Sequence, residues 1–482
     1  MCGLIVSRSE RSCAAGVEAL HHRGPDGNGI VLADGWWLGH TRLAILDLSD
    51  LAAQPMTIGD VTLVYNGELW NHATLRDGLS AVPVSSGDTE VLATLIAETD
   101  NPATIGPMLD GQFAAVWVRD GVLHAIRDRC GEVPLHYGYH ARDRTLLVAS
   151  ELKALLEAGA HPQTIAWVPP GTLLQWEDSL ALPSVTKWHE FGLEHVEDTL
   201  AEATNEVDRL LADAVRKRAT VSDVPVATLI SGGIDSSAVT WHAHPDLPEL
   251  VAYTAVFDES SLDLRCAREV AEHMGIELIE VRVPAPTAED LAATVAAIEM
   301  PHKAQVEIGW ACLHLARRLR SDGIKVCLSG EGADELWASY GRSYHAVQKS
   351  GWHKSRAESV VNQHRKNFAR VNKVFMAHSV EGRLPFADRY LLDYGLRLPR
   401  NAVLGRHWEV SGKPAQEQQR PLEQKMVLRK AYLERLPHSV VRRDKAAFQT
   451  EARIPQACED AVANPQKFYR TEYQKQFGMK RS

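Results

Sequence analysis

No uncharged apolar stretch in the chain reaches the roughly 20 residues needed to span a bilayer, so no membrane-spanning segment is expected. The beginning, Met1-Cys2-Gly3-Leu4-Ile5-Val6 followed by Ser7-Arg8-Ser9-Glu10-Arg11, lacks the basic region and long apolar run of a secretory signal, and a cytoplasmic location is expected. Cysteine is sparse and scattered. The seven (Cys2, Cys13, Cys130, Cys266, Cys312, Cys327 and Cys458) form no CxxC pair, which argues against a zinc site or a disulfide framework. Positive charge is in deficit: 52 Lys+Arg against 62 Asp+Glu give a net charge of −10. Bulk charge therefore makes general nucleic-acid binding a poor reading. What remains is ordinary globular usage, with 45% hydrophobic and 24% charged residues. A length of 482 suggests two or more domains.

The first third reads as antiparallel sheet. Short apolar runs at Ile30–Ala33, Trp36–Leu38, Val61–Tyr65, Phe113–Val118, Val122–Ile126 and Leu146–Val148 are separated by turn signals. Asp34-Gly35 and Asp120-Gly121 stand where tight hairpins are expected. From about Val224 to Gly330 the rhythm changes. Strands are expected at Val226–Ile230, Leu250–Phe257, Ile276–Val283 and Ile324–Leu328, and helices from Ser236 and over Leu264–Met274, Ala288–Ile298 and Ile308–Leu319. That alternation predicts a parallel α/β sheet. A domain boundary is expected near residue 195, dividing 1–195 from 196–482, and the chain from Trp352 onward reads as helical and charged.

Cys2 is the first chemical suspect. If Met1 is removed, it carries a thiol beside a free α-amine. An α-amine has a reference pKa of about 7.7–8.0, so part of it is neutral at pH 7 and can serve as base for the thiol. The residues behind it are His22-Arg23-Gly24-Pro25-Asp26, Arg42-Leu43-Ala44-Ile45-Leu46-Asp47, Asn66-Gly67-Glu68, Gly87-Asp88-Thr89-Glu90, Arg127-Asp128-Arg129 and Ser150-Glu151-Leu152-Lys153. In this order they resemble the glutaminase domain of class II glutamine amidotransferases, among the N-terminal-nucleophile hydrolases. The resemblance implies an αββα sandwich with Cys2 as nucleophile, and Asn66 and Gly67 as the oxyanion hole. It also implies Arg42, Leu43, Ala44, Ile45, Leu46, Asn66, Gly67, Glu68 and Asp88 around glutamine. A guanidinium suits the α-carboxylate, and the Asp88 carboxylate suits the α-ammonium.

Ser231-Gly232-Gly233-Ile234-Asp235-Ser236-Ser237 follows an apolar strand and opens a helix. Glycines let backbone approach an anion, and a helix N-terminus presents unpaired N–H groups to it. GK[ST] is absent, so this is no Walker A loop. A second loop, Ser329-Gly330-Glu331-Gly332-Ala333-Asp334-Glu335, ends a later strand. In parallel sheets, ligands bind at strand carboxyl ends, which would put both loops on one rim. Asp235 and Asp334 are hard oxygen ligands suited to Mg²⁺ held against phosphates.

The first loop resembles the pyrophosphate loop of ATP pyrophosphatases. The two halves together resemble the glutamine-dependent asparagine synthetase family and its relative β-lactam synthetase. By that resemblance Ile230, Ser231, Gly232, Gly233, Asp235, Ser236, Ser237, Val256, Ser329 and Gly330 contact ATP, and Glu331 sits by the acceptor. Val380–Asp388 and Glu423–Arg429 are similar to two further family segments, making Lys425 the candidate cation for pyrophosphate, with Arg443 and Lys445 in a late basic segment. The resemblance implies that glutamine supplies ammonia, ATP adenylates a carboxylate, and the products are an amide and AMP. Aspartate is the favoured acceptor. The alternatives are a specialised carboxylate or β-lactam-synthetase-like ring closure. It also implies a homodimer, although no residue marks an interface.

The pattern departs at Met300-Pro301-His302-Lys303-Ala304-Gln305-Val306-Glu307, where the family usually carries a threonine- and arginine-containing stretch. Ala387 likewise replaces a usual leucine. The basic positions Lys354, Arg356, Arg365, Lys366 and Arg370 read as a solvated helix face, and His21-His22 as ordinary residues rather than a metal site.

Overall fold

The computed structural model describes residues 1–339, 351–405, 423–443 and 454–479; Lys445 lies outside them. Two antiparallel six-stranded sheets form the N-terminal half. One runs, in spatial order, Ala166–Trp167, His136–Tyr139, Leu146–Ala149, Gly3–Ser7, Trp36–Arg42 and Gly27–Ala33. The other runs Ser184–Lys187, Thr172–Trp176, Val122–Arg127, Gly111–Arg119, Val61–Leu69 and Met56–Ile58. Alternation along the strands decides which side chains meet. Leu4, Val6 and Leu38 of the first sheet share one core with Val64, Ala114, Val116 and Ala125 of the second.

The outward faces bury against helices. Ile5 and Leu147 pack with Cys13 of the Glu10–Ala19 helix and Leu155 of the Leu152–Glu157 helix. Leu63, Tyr65 and Trp117 pack with Leu92 and Ile96 of the Asp88–Glu98 helix. The result is the αββα sandwich. Both Asp-Gly pairs make the expected hairpins, with positive φ at Asp34 (48°), Gly35 (77°), Asp120 (52°) and Gly121 (77°).

The second half holds a parallel five-stranded sheet in the order Glu277–Arg282, Val251–Val256, Val226–Leu229, Val326–Leu328, Glu381–Arg383. Helices Ile234–Ala243, Leu262–Met274, Ala288–Ile298 and Lys303–Ser321 supply the crossovers, and a helical part follows. The Lys303–Ser321 helix begins five residues before the Ile308 expected from periodicity. Its N-cap, His302, makes no side-chain capping bond, so no capping signal announces the start.

The basic positions read as a solvated face are corrected in part. Arg356 is 2% exposed and Arg370 1%. Arg356 donates to the carbonyls of Leu336 and Gly395, satisfying groups that helix ends leave unpaired. Among the described residues no helix is long and apolar enough to cross a membrane.

Candidate active sites

The Gly3–Ser7 strand sits inside the first sheet, paired with Trp36–Arg42 and Leu146–Ala149, and this carries the chain start into the interior. Cys2 is buried, and its backbone N–H donates to Asn66 Oδ1 at 2.7 Å. Asn66 Nδ2 is buried and has no partner. Such an orphan donor is costly in a finished core and is what an oxyanion site requires. The next residue, Gly67, has φ +156°, and a Cβ there would stand 2.2 Å from the Gln112 carbonyl oxygen. Glycine is therefore dictated at this position by contact with the neighbouring strand.

Burial pushes the Cys2 thiol above its ordinary value, against the pull of the nearby terminal ammonium. The resting side chain is a thiol and needs a base. The ammonium of Met1 pairs with buried Glu381. Burial alone would raise that carboxyl, but the ammonium and Arg383 hold it below the usual range. Glu68 lies 3.8 Å from Arg383 and is pushed well up, first by burial and then by the Glu381 charge.

Asp88 opens its helix with the carboxylate turned inward. Oδ2 accepts from the Tyr65 hydroxyl at 2.8 Å and the Leu69 N–H at 2.9 Å, and burial raises its pKa. Arg42 is half-buried and donates to the Ser49 and Asp47 carbonyls, so it braces the loop beyond it. Leu43 and Ile45 are buried between Arg42 and that loop, and Ala44 and Leu46 are half-buried. The Leu43 carbonyl lies 4.0 Å from Cys2 Sγ.

Arg23, a motif residue to which the sequence assigned no role, holds the Cys2 carbonyl and is itself held by Glu151. Fully buried Arg23 donates through Nε to the Cys2 carbonyl at 2.8 Å, through Nη1 to Glu151 at 2.6 Å, and through Nη2 to Asn372 at 2.9 Å. Lys153 binds Glu151 at 2.9 Å, and Lys373 binds Glu299 at 2.6 Å. His22 also meets Glu151, at 3.1 Å.

The second site is a cavity of about 690 Å³ at the carboxyl ends of the parallel strands. Its walls include Ile230, Ser231, Gly233, Asp235, Ser236, Ser329, Gly330 and Lys425. Gly232 has φ +74°, and a Cβ there would meet the Asp263 carbonyl oxygen at 2.2 Å, so the loop requires glycine. Gly330 packs equally tightly: its Cβ would lie 2.7 Å from the Ser236 nitrogen, so the two loops touch backbone to backbone. Ser236 Oγ accepts the Ser231 N–H at 3.1 Å. Ser237 donates to the Gly233 carbonyl at 2.8 Å and, like Val256, is buried without lining the cavity.

Lys425 is 3% exposed. Its ammonium binds Asp235 and, at 2.7 Å, Asp334. Burial would lower its pKa, but the two carboxylates raise it above the ordinary lysine value. Asp235 Oδ1 is buried without a partner. Two converging carboxylates with an unused oxygen fit a hard divalent ion. Among the described residues no group of three or more His, Cys, Asp or Glu side chains could hold a metal by themselves.

Arg443 also lines the cavity and binds Asp263 at 2.5 Å. The divergent segment reaches the same cavity. Ala304 and Gln305 line it, whereas Glu307 does not. Arg370, read from the sequence as solvated, lines it too and binds Glu331 at 2.5 Å.

A glutamine amidotransferase domain model matches residues 1–174, and an asparagine synthase model matches 206–371 and 349–467. The chain is 31% identical over 451 residues to the glutamine-hydrolysing asparagine synthetase B of Escherichia coli (strain K12), covering 89% of this chain and 77% of the relative. It is 30% identical over 479 residues to a glutamine-hydrolysing asparagine synthetase of Brassica oleracea, covering 93% and 78%. Among solved structures, a glutamine phosphoribosylpyrophosphate amidotransferase from B. subtilis matches at 19% identity and a TM-score of 0.35 over 58% of this chain and 66% of that one, which is too slight a likeness to bear on function. The chain belongs to the asparagine synthase family, with a glutamine amidotransferase domain ahead of its asparagine synthase domain.

Proposed function

We propose that this chain takes ammonia from glutamine at Cys2 and uses it, with ATP, to amidate a carboxylate, aspartate being the leading acceptor. The boundary we propose between the two units, near residue 195, falls between the Ser184–Lys187 strand and the Leu200–Thr220 helix. The observation that carries the reading is the pairing of two unfinished sites on one chain. Asn66 holds the Cys2 nitrogen while keeping a buried N–H₂ unused, and Asp235 and Asp334 converge on Lys425 beside the cavity.

With Met1 removed, the nitrogen now bound to Asn66 becomes the α-amine. Its neutral fraction takes the thiol proton. The thiolate attacks the glutamine side-chain amide. Asn66 Nδ2 donates to the oxyanion, the α-ammonium returns the proton to the departing nitrogen, ammonia leaves, and water then hydrolyses the thioester to glutamate and the free thiol. In the cavity the acceptor carboxylate attacks the α-phosphorus of ATP and pyrophosphate departs toward Lys425. Ammonia displaces AMP from the acyl carbon. Magnesium held by Asp235 and Asp334 would supply charge neutralisation to the phosphates.

A second reading, a specialised carboxylate instead of aspartate, is favoured by one observation. The cavity wall carries Ala304 and Gln305 where the family usually places a threonine- and arginine-containing stretch.

The deciding experiment follows AMP and the amide product by mass spectrometry, with glutamine and ATP, in the presence and absence of aspartate. Aspartate-dependent AMP together with asparagine supports the leading acceptor. Glutamine hydrolysis without that AMP transfers the reading to another carboxylate. Cys2→Ala is expected to abolish glutamine use and to spare synthesis from ammonium. Loss of neither activity would remove the glutaminase assignment.

A further inference from the structure

The acceptor end of the cavity contains a chain of side-chain hydrogen bonds that begins and ends in the same loop. Glu331 accepts from Arg370 Nη2 at 2.5 Å. Arg370 Nη1 donates to Gln305 Oε1 at 3.0 Å. Gln305 Nε2 donates to Asn367 Oδ1 at 2.9 Å, and Asn367 Nδ2 donates to Glu335 Oε1 at 3.0 Å. All five residues line the cavity. Glu331 and Glu335 flank the start of the short Ala333–Leu336 helix. Gln305 comes from the Lys303–Ser321 helix, and Asn367 and Arg370 come from the Asn367–Met376 helix.

The direction of every bond in this chain is determined. A guanidinium only donates and a carboxylate only accepts, so the two ends fix how both amides face. Gln305 stands in the middle and must accept on one side and donate on the other. Exposure divides the roles. The Arg370 side chain is 2% exposed, whereas that of Glu331 is 28% exposed. A buried cation therefore anchors Glu331 from behind and leaves part of its carboxylate open to the cavity.

We propose that Gln305 is a positioning residue for the acceptor. Acting through Arg370, it holds the Glu331 carboxylate oriented where the acceptor is activated. The inference rests on the acceptor-side reading of Glu331 given above. It makes Gln305 part of how this chain recognises its carboxylate substrate, although Gln305 acts through another group.

The test measures AMP release by the full-length chain with L-aspartate, L-glutamate and succinate as acceptors, for wild type, Gln305→Leu and Gln305→Glu. Glutamine hydrolysis and thermal midpoint are recorded in parallel. Removing a hydrogen bond to a charged group predicts that Gln305→Leu loses about tenfold to a hundredfold in kcat/KM for the acceptor. Its KM for ATP and its glutaminase rate are expected to stay close to wild type, while its midpoint falls modestly because buried Arg370 and Asn367 each lose a partner. Gln305→Glu puts a second carboxylate on Arg370 in competition with Glu331. The acidic limb of kcat/KM for the acceptor should then move to higher pH, a shift that a purely structural role would not produce. An unchanged acceptor kcat/KM in Gln305→Leu overturns the inference. So does a parallel loss in ATP use and thermal midpoint together with an unmoved pH limb in Gln305→Glu. If wild type releases no AMP with any of these three acceptors, the reading of aspartate or a close analogue as acceptor fails and this inference falls with it. Wild-type activity with indifferent variants rejects the inference alone.

Discussion

Asn66 accepts the backbone N–H of Cys2 through Oδ1 and keeps its Nδ2 buried and unpaired, so one amide holds the candidate base and has a donor left for the proposed oxyanion. Replacing it with alanine removes both functions. Losing one oxyanion donor costs about a hundredfold to a thousandfold in kcat. Asn66→Ala is accordingly expected to lower glutamine hydrolysis by at least that factor while sparing AMP release driven by ammonium. A steady-state assay with each nitrogen source checks it. Equal loss from both sources would place Asn66 outside the glutaminase chemistry.

Met1 makes a second prediction. Its ammonium is paired with Glu381, and with Met1 attached the Cys2 nitrogen is a peptide N–H that cannot act as a base. A version with an uncleavable N-terminal extension is expected to hydrolyse no glutamine and to retain ammonium-dependent synthesis. Intact-mass measurement identifies which form is present. Full glutaminase activity in a preparation with its extension intact would contradict the α-amine as base.

The local parts of this architecture were legible because local chemistry determines them. Asp34-Gly35 and Asp120-Gly121 force hairpins through positive φ, and the Ala288–Ile298 helix has the bounds its pattern predicts, with a Thr287–Asp290 capping box at its start. The partners that organise the sites were not legible. Arg23 meets Glu151 across 128 positions and Asn372 across 349, and no local pattern encodes such pairings. The motifs containing Arg23 and Glu151 were visible, but not that Arg23, held by Glu151, grips the Cys2 carbonyl. Arg370 failed for a related reason: an arginine among basic neighbours resembles a solvated face until its carboxylate and amide partners are seen. Gln305 was hidden by a helix start five residues earlier than its apolar period indicated.

Lys425 is expected to serve the second site alone. It is the cation between Asp235 and Asp334, and its removal leaves those carboxylates facing the phosphates uncompensated. Lys425→Ala should cut AMP release by about a hundredfold or more, the scale of a lost transition-state charge contact. Glutamine hydrolysis at Cys2 should continue. Measuring glutamate and AMP from one reaction gives both numbers. Retained AMP release would remove Lys425 from the pyrophosphate role.

Glu307 provides a test that involves neither reaction. It is buried on the Lys303–Ser321 helix, its Oε1 has no hydrogen-bond partner, and Lys303 stands 3.8 Å away. Burial raises its pKa to about 7 from an ordinary 4.5, more than Lys303 lowers it. Between those values the folded state binds a proton that the unfolded chain has released, so stability falls as pH rises through this window. A glutamine cannot ionise and escapes that loss. Glu307→Gln is therefore expected to match wild type in thermal midpoint near pH 4.5 and to exceed it increasingly up to about pH 7, with the gap constant above. Thermal denaturation of both proteins across that range reads the difference directly. A gap independent of pH would mean that Glu307 does not titrate there, and a gap that narrows as pH rises would mean that its carboxylate is stabilised rather than penalised in the fold.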